Sequence, residues 1–274
     1  MTLNRRGALK MLGTGLGASM IKPPPMPRAD MFWPPGVKTR FIVERDDPRY
    51  CLTIDDGWRG PLIGAFMNFI INKSMIPFTW FANGTGIADI GNGYPNPESP
   101  YKRPLPMWFW WTRSTVGYHT MHHPSVEDQR KNYNRARWIE DYEEWLEIAL
   151  ESFAEAQEKS LRLNNFAIIR PYARAAGGYF SDPFMEMCDI KGLTPYGWSV
   201  DPYTLVRGAE IGGGDIFLTH FRDSEWQWYA MLADLEESGD LISRDIGEME
   251  SIEETSLREW YCNHFYFCRQ RMCE

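Results

Sequence analysis

Three of the chain's five histidines fall within five positions, in the run GYHTMHHPSV at 117–126. His119 and His123 are four apart, a spacing that on a turn of helix puts both imidazoles on one side. His122 points elsewhere and is set aside, and Pro124 keeps the turn from belonging to a longer helix. Well upstream, CLTIDDGW at 51–58 ends an apolar run with two adjacent aspartates, Asp55 and Asp56. Two neutral imidazoles and one carboxylate make a donor set suited to a catalytic divalent metal with positions left for water and substrate. Neighbouring aspartates face different ways, so one can bind the ion while the other handles a proton, as a base beside an activated water. D-D-G alone is a common turn and H-x-x-x-H alone a weak motif. Their weight comes from occurring in order, each at the end of a strand-like run.

Such groups need strands to bring them together. From Phe41 onward, β-like runs alternate with helical or loop segments: YCLTI (50–54), FTWFA (78–82), STVGY (114–118), FAII (166–169), YGWSV (196–200) and DIFLTH (215–220). Several are continuously apolar, as strands covered on both faces are. Between the first two, LIGAFMNFIINKS (62–74) fits a helix. The clearest helix is 135–160, where Trp138, Ile139, Tyr142, Trp145, Leu146, Ala149 and Phe153 recur at helical spacing. Residues 92–113, rich in proline and tryptophan, read as a long insertion or loop rather than an element, and Trp108, Trp110 and Trp111 there either stack on sugar faces or pack. EWQWYAML (225–232) reads as the start of the last helix. Strand–helix alternation implies α/β with parallel strands. The expected architecture is a distorted, incomplete (β/α) barrel with its active site at the strand C-terminal face, where Asp55-Asp56, His119 and His123, Arg170, Asp201 and His220 would converge.

Composition narrows the partners. With 274 residues and 43% hydrophobic content the chain can bury a sizeable core, and a net charge of −8 argues against a nucleic-acid binder. The 15% aromatic content serves either a core or the faces of planar and sugar-like ligands. Residues 1–30 read as an export signal and linker: Arg5-Arg6 opens a twin-arginine-like pattern, a short Gly-rich apolar run follows, and KPPPMPRAD is an extended linker. A frayed cytosolic terminus is the alternative. Residues 31–274 form one catalytic domain with a motif-bearing core at 48–245. Of the five cysteines, Cys262, Cys268 and Cys273 cluster near the end, with His264 among them. Their spacing is too loose for a zinc knot, and a disulfide is expected if the chain is exported.

In order, LTIDDGW, IPFTWFANG, HTMHHP, IRPYA, GWSVD and FLTH resemble the motifs of the NodB-homology polysaccharide deacetylases, the fourth family of carbohydrate esterases. The resemblance implies Asp55 as general base and Asp56, His119 and His123 as metal ligands, with Thr120 bracing the histidine loop. It implies that Arg170 orients Asp55 and is balanced by Asp201, that the Tyr172 backbone N–H helps hold the oxyanion, and that His220 is the general acid, packed by Trp198 and Leu218. The cofactor implied is one divalent ion: zinc first, with cobalt, nickel or manganese as alternatives. The activity implied is removal of acetyl groups from an acetylated polysaccharide or oligosaccharide. Two departures stand out. Trp58 replaces the family's proline after D-D-G, and the third motif is short against the family's R-P-P-Y. Other readings are a hydrolase of cyclic amides on the same scaffold, a non-catalytic glycan binder, and a non-haem iron oxygenase. The membrane is met only through the export signal, and oligomeric state is left open.

Overall fold

The computed structural model describes residues 33–41, 43, 47–57, 63–66, 69, 76–91, 105–164, 166–222 and 226–249. The export signal, Trp58, residues 92–104, Cys262, His264, Cys268 and Cys273, and most of the 62–74 helix lie outside the described residues. Of that helix, residues 63–66 and 69 are seen, and they are helical.

Seven strands form one sheet: β1 (Arg49–Asp56), β2 (Thr79–Ala82), β3 (Thr115–Tyr118), β4 (Ile169–Ala173), β5 (Thr194–Pro195), β6 (Ile216–His220) and β7 (Ile242–Arg244). Every pairing between them is parallel, in the order β5-β4-β3-β2-β1-β6, with β7 also on β1. The sheet curls into a half-barrel flanked by helices, the incomplete (β/α) barrel anticipated. Strand β1 is buried along its length after Arg49, which explains why it is apolar before its tip except at Thr53, whose hydroxyl donates to the Phe217 carbonyl at 3.0 Å.

Among the described residues, the helices with both ends described are α1 (Gly84–Gly91), α2 (Leu105–Thr112), α3 (Val126–Asn132), α4 (Arg135–Asn164), α5 (Asp182–Lys191), α6 (Pro202–Val206), α7 (Trp226–Glu237) and α8 (Ile246–Met249). Asn134 begins α4 by accepting the Arg137 N–H through Oδ1 at 3.0 Å. Its stripe of Trp138, Tyr142, Trp145, Leu146, Ala149 and Phe153 is buried, each large side chain contributing about 1.5–3 kcal/mol. Trp145 also donates Nε1–H to the Ala82 carbonyl at 2.8 Å, tying α4 to the tip of β2.

Three expectations change. Residues 105–112, read as loop, are the helix α2. Pro106 is tolerated because the first helical turn has N–H groups without intrahelical partners. Trp108 and Phe109 are core, so Trp108 packs and lines no cleft. The strand expected at 166–169 starts only at Ile169, because the Ile168 and Ile169 N–H groups both donate to Gln157 Oε1. The strand expected at 196–200 is two residues long and lies earlier, at 194–195. Past it, the carbonyls of Tyr196 and Gly197 leave the ladder to receive an arginine. Helix α7 starts as anticipated, but the short α8 follows it.

Candidate metal centre and active site

The strand C-terminal ends carry the chemistry. Asp55 lies in register between Phe81 of β2 and His220 of β6, and Asp56 ends β1 beside Ala82. His119 follows β3, its N–H bonded to the Ala82 carbonyl at 3.1 Å. His119 Nε2 and His123 Nε2 approach the same oxygen, Asp56 Oδ1, at 3.4 and 3.2 Å. His119 Nε2 is also 3.7 Å from Asp55 Oδ2. One ligand atom from each of Asp56, His119 and His123 falls within 4.8 Å of the others. His122 is exposed and outside the cluster.

The histidines do not converge by a turn of helix, as their spacing suggested. Residues 119–123 form an irregular loop. Of the four non-glycine residues with positive φ among the described residues, three are at this site: Asp56 (70°), Thr120 (70°) and His123 (49°). Each such conformation costs on the order of 1–3 kcal/mol and persists only where the surroundings over-determine it. Here they do. Thr120 Oγ1 accepts the His123 N–H at 2.9 Å, the bracing role expected of that hydroxyl, and the Thr120 carbonyl accepts the Gly84 N–H at 3.1 Å. Trp80 Nε1–H donates to the Asp56 carbonyl at 2.5 Å. Gly57 next to it has φ 129°, and a Cβ there would sit 2.6 Å from the Trp80 ring, so D-D-G admits no larger third residue.

The donor set fits a divalent cation. His119 Nδ1 lies 2.9 Å from the Arg174 carbonyl, which accepts the Nδ1–H and in the neutral ring leaves Nε2 as the ligand atom. Asp56 Oδ1 is buried and has no hydrogen-bond partner. A carboxylate oxygen and imidazole lone pairs aimed at one another repel unless a positive charge stands between them. Burial works against the charge of Asp56, yet the His119 ring beside it and the charges of His119, His220 and His123 hold its carboxyl well below the usual carboxylate range. Burial opposes a charge on His119 too, but Asp55 and Asp56 prevail and raise its pKa. His123 is lowered by burial and by the neighbouring His119.

The guanidinium at Asp55 is that of Arg174, not Arg170. Arg174 is fully buried, and its Nη1 donates to Asp55 Oδ1 at 2.7 Å and to Thr53 Oγ1 at 2.8 Å. Its Nε reaches the Tyr196 carbonyl at 3.0 Å and its Nη2 the Gly197 carbonyl at 2.7 Å. Arg170 sits four residues earlier, within β4, over the Phe166 ring at 5.2 Å, because the strand places that register away from the tip. Asp201 balances neither arginine. It caps α6, accepting the Thr204 N–H at 2.7 Å, and receives Trp198 Nε1–H at 3.3 Å, since Pro202 makes it the last residue before a helix. Tyr172 lies inside β4, flanked by β3 and β5, with its ring buried edge-on to Tyr196. Its backbone thus belongs to the sheet rather than the cleft. His220 stands at the end of β6 opposite Asp55.

Two residues escaped the sequence reading. Arg174 had no motif signal: counted from it, the R-P-P-Y pattern reads Arg174-Ala175-Ala176-Gly177, without the prolines or the tyrosine. Arg222 had none either. Two residues past His220, it is largely exposed and places Nη2 3.3 Å from Asp56 Oδ2.

No protein-family profile and no curated protein matches the chain. Solved structures do. The Bc1960 peptidoglycan N-acetylglucosamine deacetylase is 14% identical with a TM-score of 0.57, covering 80% of this chain and 94% of its own. A family 4 carbohydrate esterase from Bacillus anthracis is 16% identical with a TM-score of 0.52, over 78% and 86%. BA3943, a family 4 pseudoenzyme from Bacillus anthracis, is 16% identical with a TM-score of 0.55, over 77% and 67%. The half-barrel, with its acidic β1 tip and histidine-bearing β3 tip, therefore has the fold of the family 4 carbohydrate esterases.

Proposed function

We propose that the chain is a divalent-metal-dependent hydrolase that removes acetyl groups, chiefly N-acetyl, from an amino-sugar polysaccharide. The observation that carries this reading is the buried Asp56 Oδ1, without a hydrogen bond and faced by two imidazole nitrogens, beside an Asp55 clamped by Arg174. Asp56, His119 and His123 would hold the ion, which when bound supplies a Lewis acid for the acetyl carbonyl and its attacking water. Asp55 takes the proton from that water, and Arg174 fixes its direction through the 2.7 Å bond to Oδ1. His220, across the β1–β6 ladder, gives a proton to the leaving amine. A requirement for Asp55 ionised and His220 protonated gives a bell-shaped pH–rate profile.

Among neighbours in fold, one acts on peptidoglycan N-acetylglucosamine and another is a pseudoenzyme. This chain retains Asp55, Asp56, His119, His123 and His220 together, which supports turnover over binding alone. We also propose export through the Arg5-Arg6 signal, which fits a cell-envelope or secreted glycan. Acetate release is measured from chitooligosaccharides and peptidoglycan fragments, with zinc, cobalt, nickel or manganese, alongside ring opening of allantoin. Release that needs the metal and is lost in His123→Ala, together with its bound ion, is the expected result. Glycan binding without acetate under every metal leaves the binder reading, and activity on allantoin alone leaves the cyclic-amide one.

A further inference from the structure

Asp141 sits on α4, outside the cleft, and is fully buried. Its Oδ1 accepts two hydrogen bonds, from Tyr118 Oη at 2.6 Å and from the Met121 N–H at 2.7 Å. Its Oδ2 takes a longer one from Tyr133 Oη at 3.4 Å. Tyr118 immediately precedes His119, and Met121 lies midway between His119 and His123. One carboxylate oxygen thus grips the histidine stretch at its entry and at its centre. No lysine or arginine pairs with Asp141 among the described residues, and burial pushes its carboxyl pKa upward, the Tyr118 and Met121 donors notwithstanding. A buried acid with neutral partners is a costly way to anchor a loop, when an apolar side chain would fill the same space.

What the carboxylate adds is two acceptor directions at fixed points. The loop needs them, because Thr120 and His123 hold left-handed conformations that relax unless the backbone between them is pinned. Thr120 Oγ1 pins one end to the other; the Met121 N–H, pointing into the protein, has Asp141.

We propose that Asp141 is a positioning residue for the ion site, holding the 119–123 loop in the strained form that aims both imidazole Nε2 atoms at Asp56 Oδ1. The proposal rests on the metal-site reading and deepens it. Outer hydrogen bonds of this kind typically change metal affinity by about 10- to 100-fold when lost.

The test compares the wild-type chain, Asp141→Asn and Asp141→Leu for Co(II) affinity by calorimetry, for the visible absorption of bound Co(II), and for melting of the metal-free protein. Asparagine keeps an acceptor oxygen with two lone pairs; leucine has none. Asp141→Asn is expected within about threefold of wild type with the same spectrum. Asp141→Leu is expected about 10- to 100-fold weaker with an altered spectrum, while still melting cooperatively. Leucine with wild-type affinity and spectrum overturns the proposal. So does asparagine falling as far as leucine, since the hydrogen bonds would then not be what matters. Should the leucine variant fail to fold, Asp141→Glu displaces the acceptor by one methylene. About tenfold weaker binding is expected there, and unchanged binding overturns the proposal. A wild-type chain that takes up no Co(II) brings down the metal-site reading itself, a result distinct from one in which wild type and leucine bind alike.

Discussion

The two halves of the cleft are built differently. At the β1 and β3 tips, Asp56, His119 and His123 come from short stretches with left-handed backbone, held by the local Thr120–His123 bond and by single bonds from Trp80, Gly84 and Asp141. At the β4 and β5 tips the backbone near Arg174 is unstrained, and the work is done by one long side chain drawing acceptors from β1 and from the chain after β5. One half fixes geometry through strained backbone held at several points, the other through a single buried side chain. The first should therefore fail by losing its ion and the second by losing its fold.

The largest effect should separate the adjacent aspartates. Asp55→Asn is expected to lower kcat by about 10²- to 10⁴-fold with metal affinity within about threefold, read by acetate release and calorimetry. Loss of the ion in this variant would mean that the two carboxylates exchange roles. Next, Arg174→Met leaves the buried Asp55 carboxylate unpaired and should cost about 3–5 kcal/mol of stability in denaturant unfolding. The same change at Arg170, which lies over the Phe166 ring, should cost about 1 kcal/mol and spare activity. Equal losses at 170 and 174 would erase the contrast drawn here.

A smaller effect is expected at the rim. Arg222 is an exposed cation beside Asp56 Oδ2, and exposed pairs are worth about 0.2–1 kcal/mol. Arg222→Gln should tighten divalent-ion binding by at most about fivefold at low salt, with the gain vanishing as salt screens the charge. The smallest concerns Asp141. Its folded-state pKa is raised, so the folded protein holds that proton more tightly than the unfolded chain does. The stabilisation this gives is complete below about pH 4 and is lost as pH rises through the folded value. Metal-free Asp141→Asn should accordingly melt slightly above wild type at pH 7 and level with it in acid; the reverse order would contradict the raised value.

The same contrast explains what could be read from the sequence. The acid pair and the histidine pair each lie within a few residues, at the ends of apolar runs whose burial is itself legible, so the ligand half of the site emerged from pattern. The arginine half did not, because what selects Arg174 over Arg170 is a set of partners more than twenty positions away, at Tyr196 and Gly197, and more than a hundred away, at Thr53 and Asp55. Asp201 matched a motif position but was claimed by a helix start that Pro202 sets up. Helix α2 hid behind Pro106, which fits a first turn as readily as a loop. The left-handed conformations at Thr120 and His123 left little mark in residue type, since the β-branched Thr120 disfavours one and a single histidine is a weak sign of the other.

Arg174 faces both halves at once. Its guanidinium grips Asp55 while its own carbonyl receives His119 Nδ1. On the mechanism proposed above, proton abstraction and ion coordination would both depend on this one residue, and neither could be retuned in isolation. A directed-evolution effort to exchange the preferred ion by reshaping this stretch would carry the acidity of the reaction along with it, and variants selected for a new pH optimum would drift in metal preference.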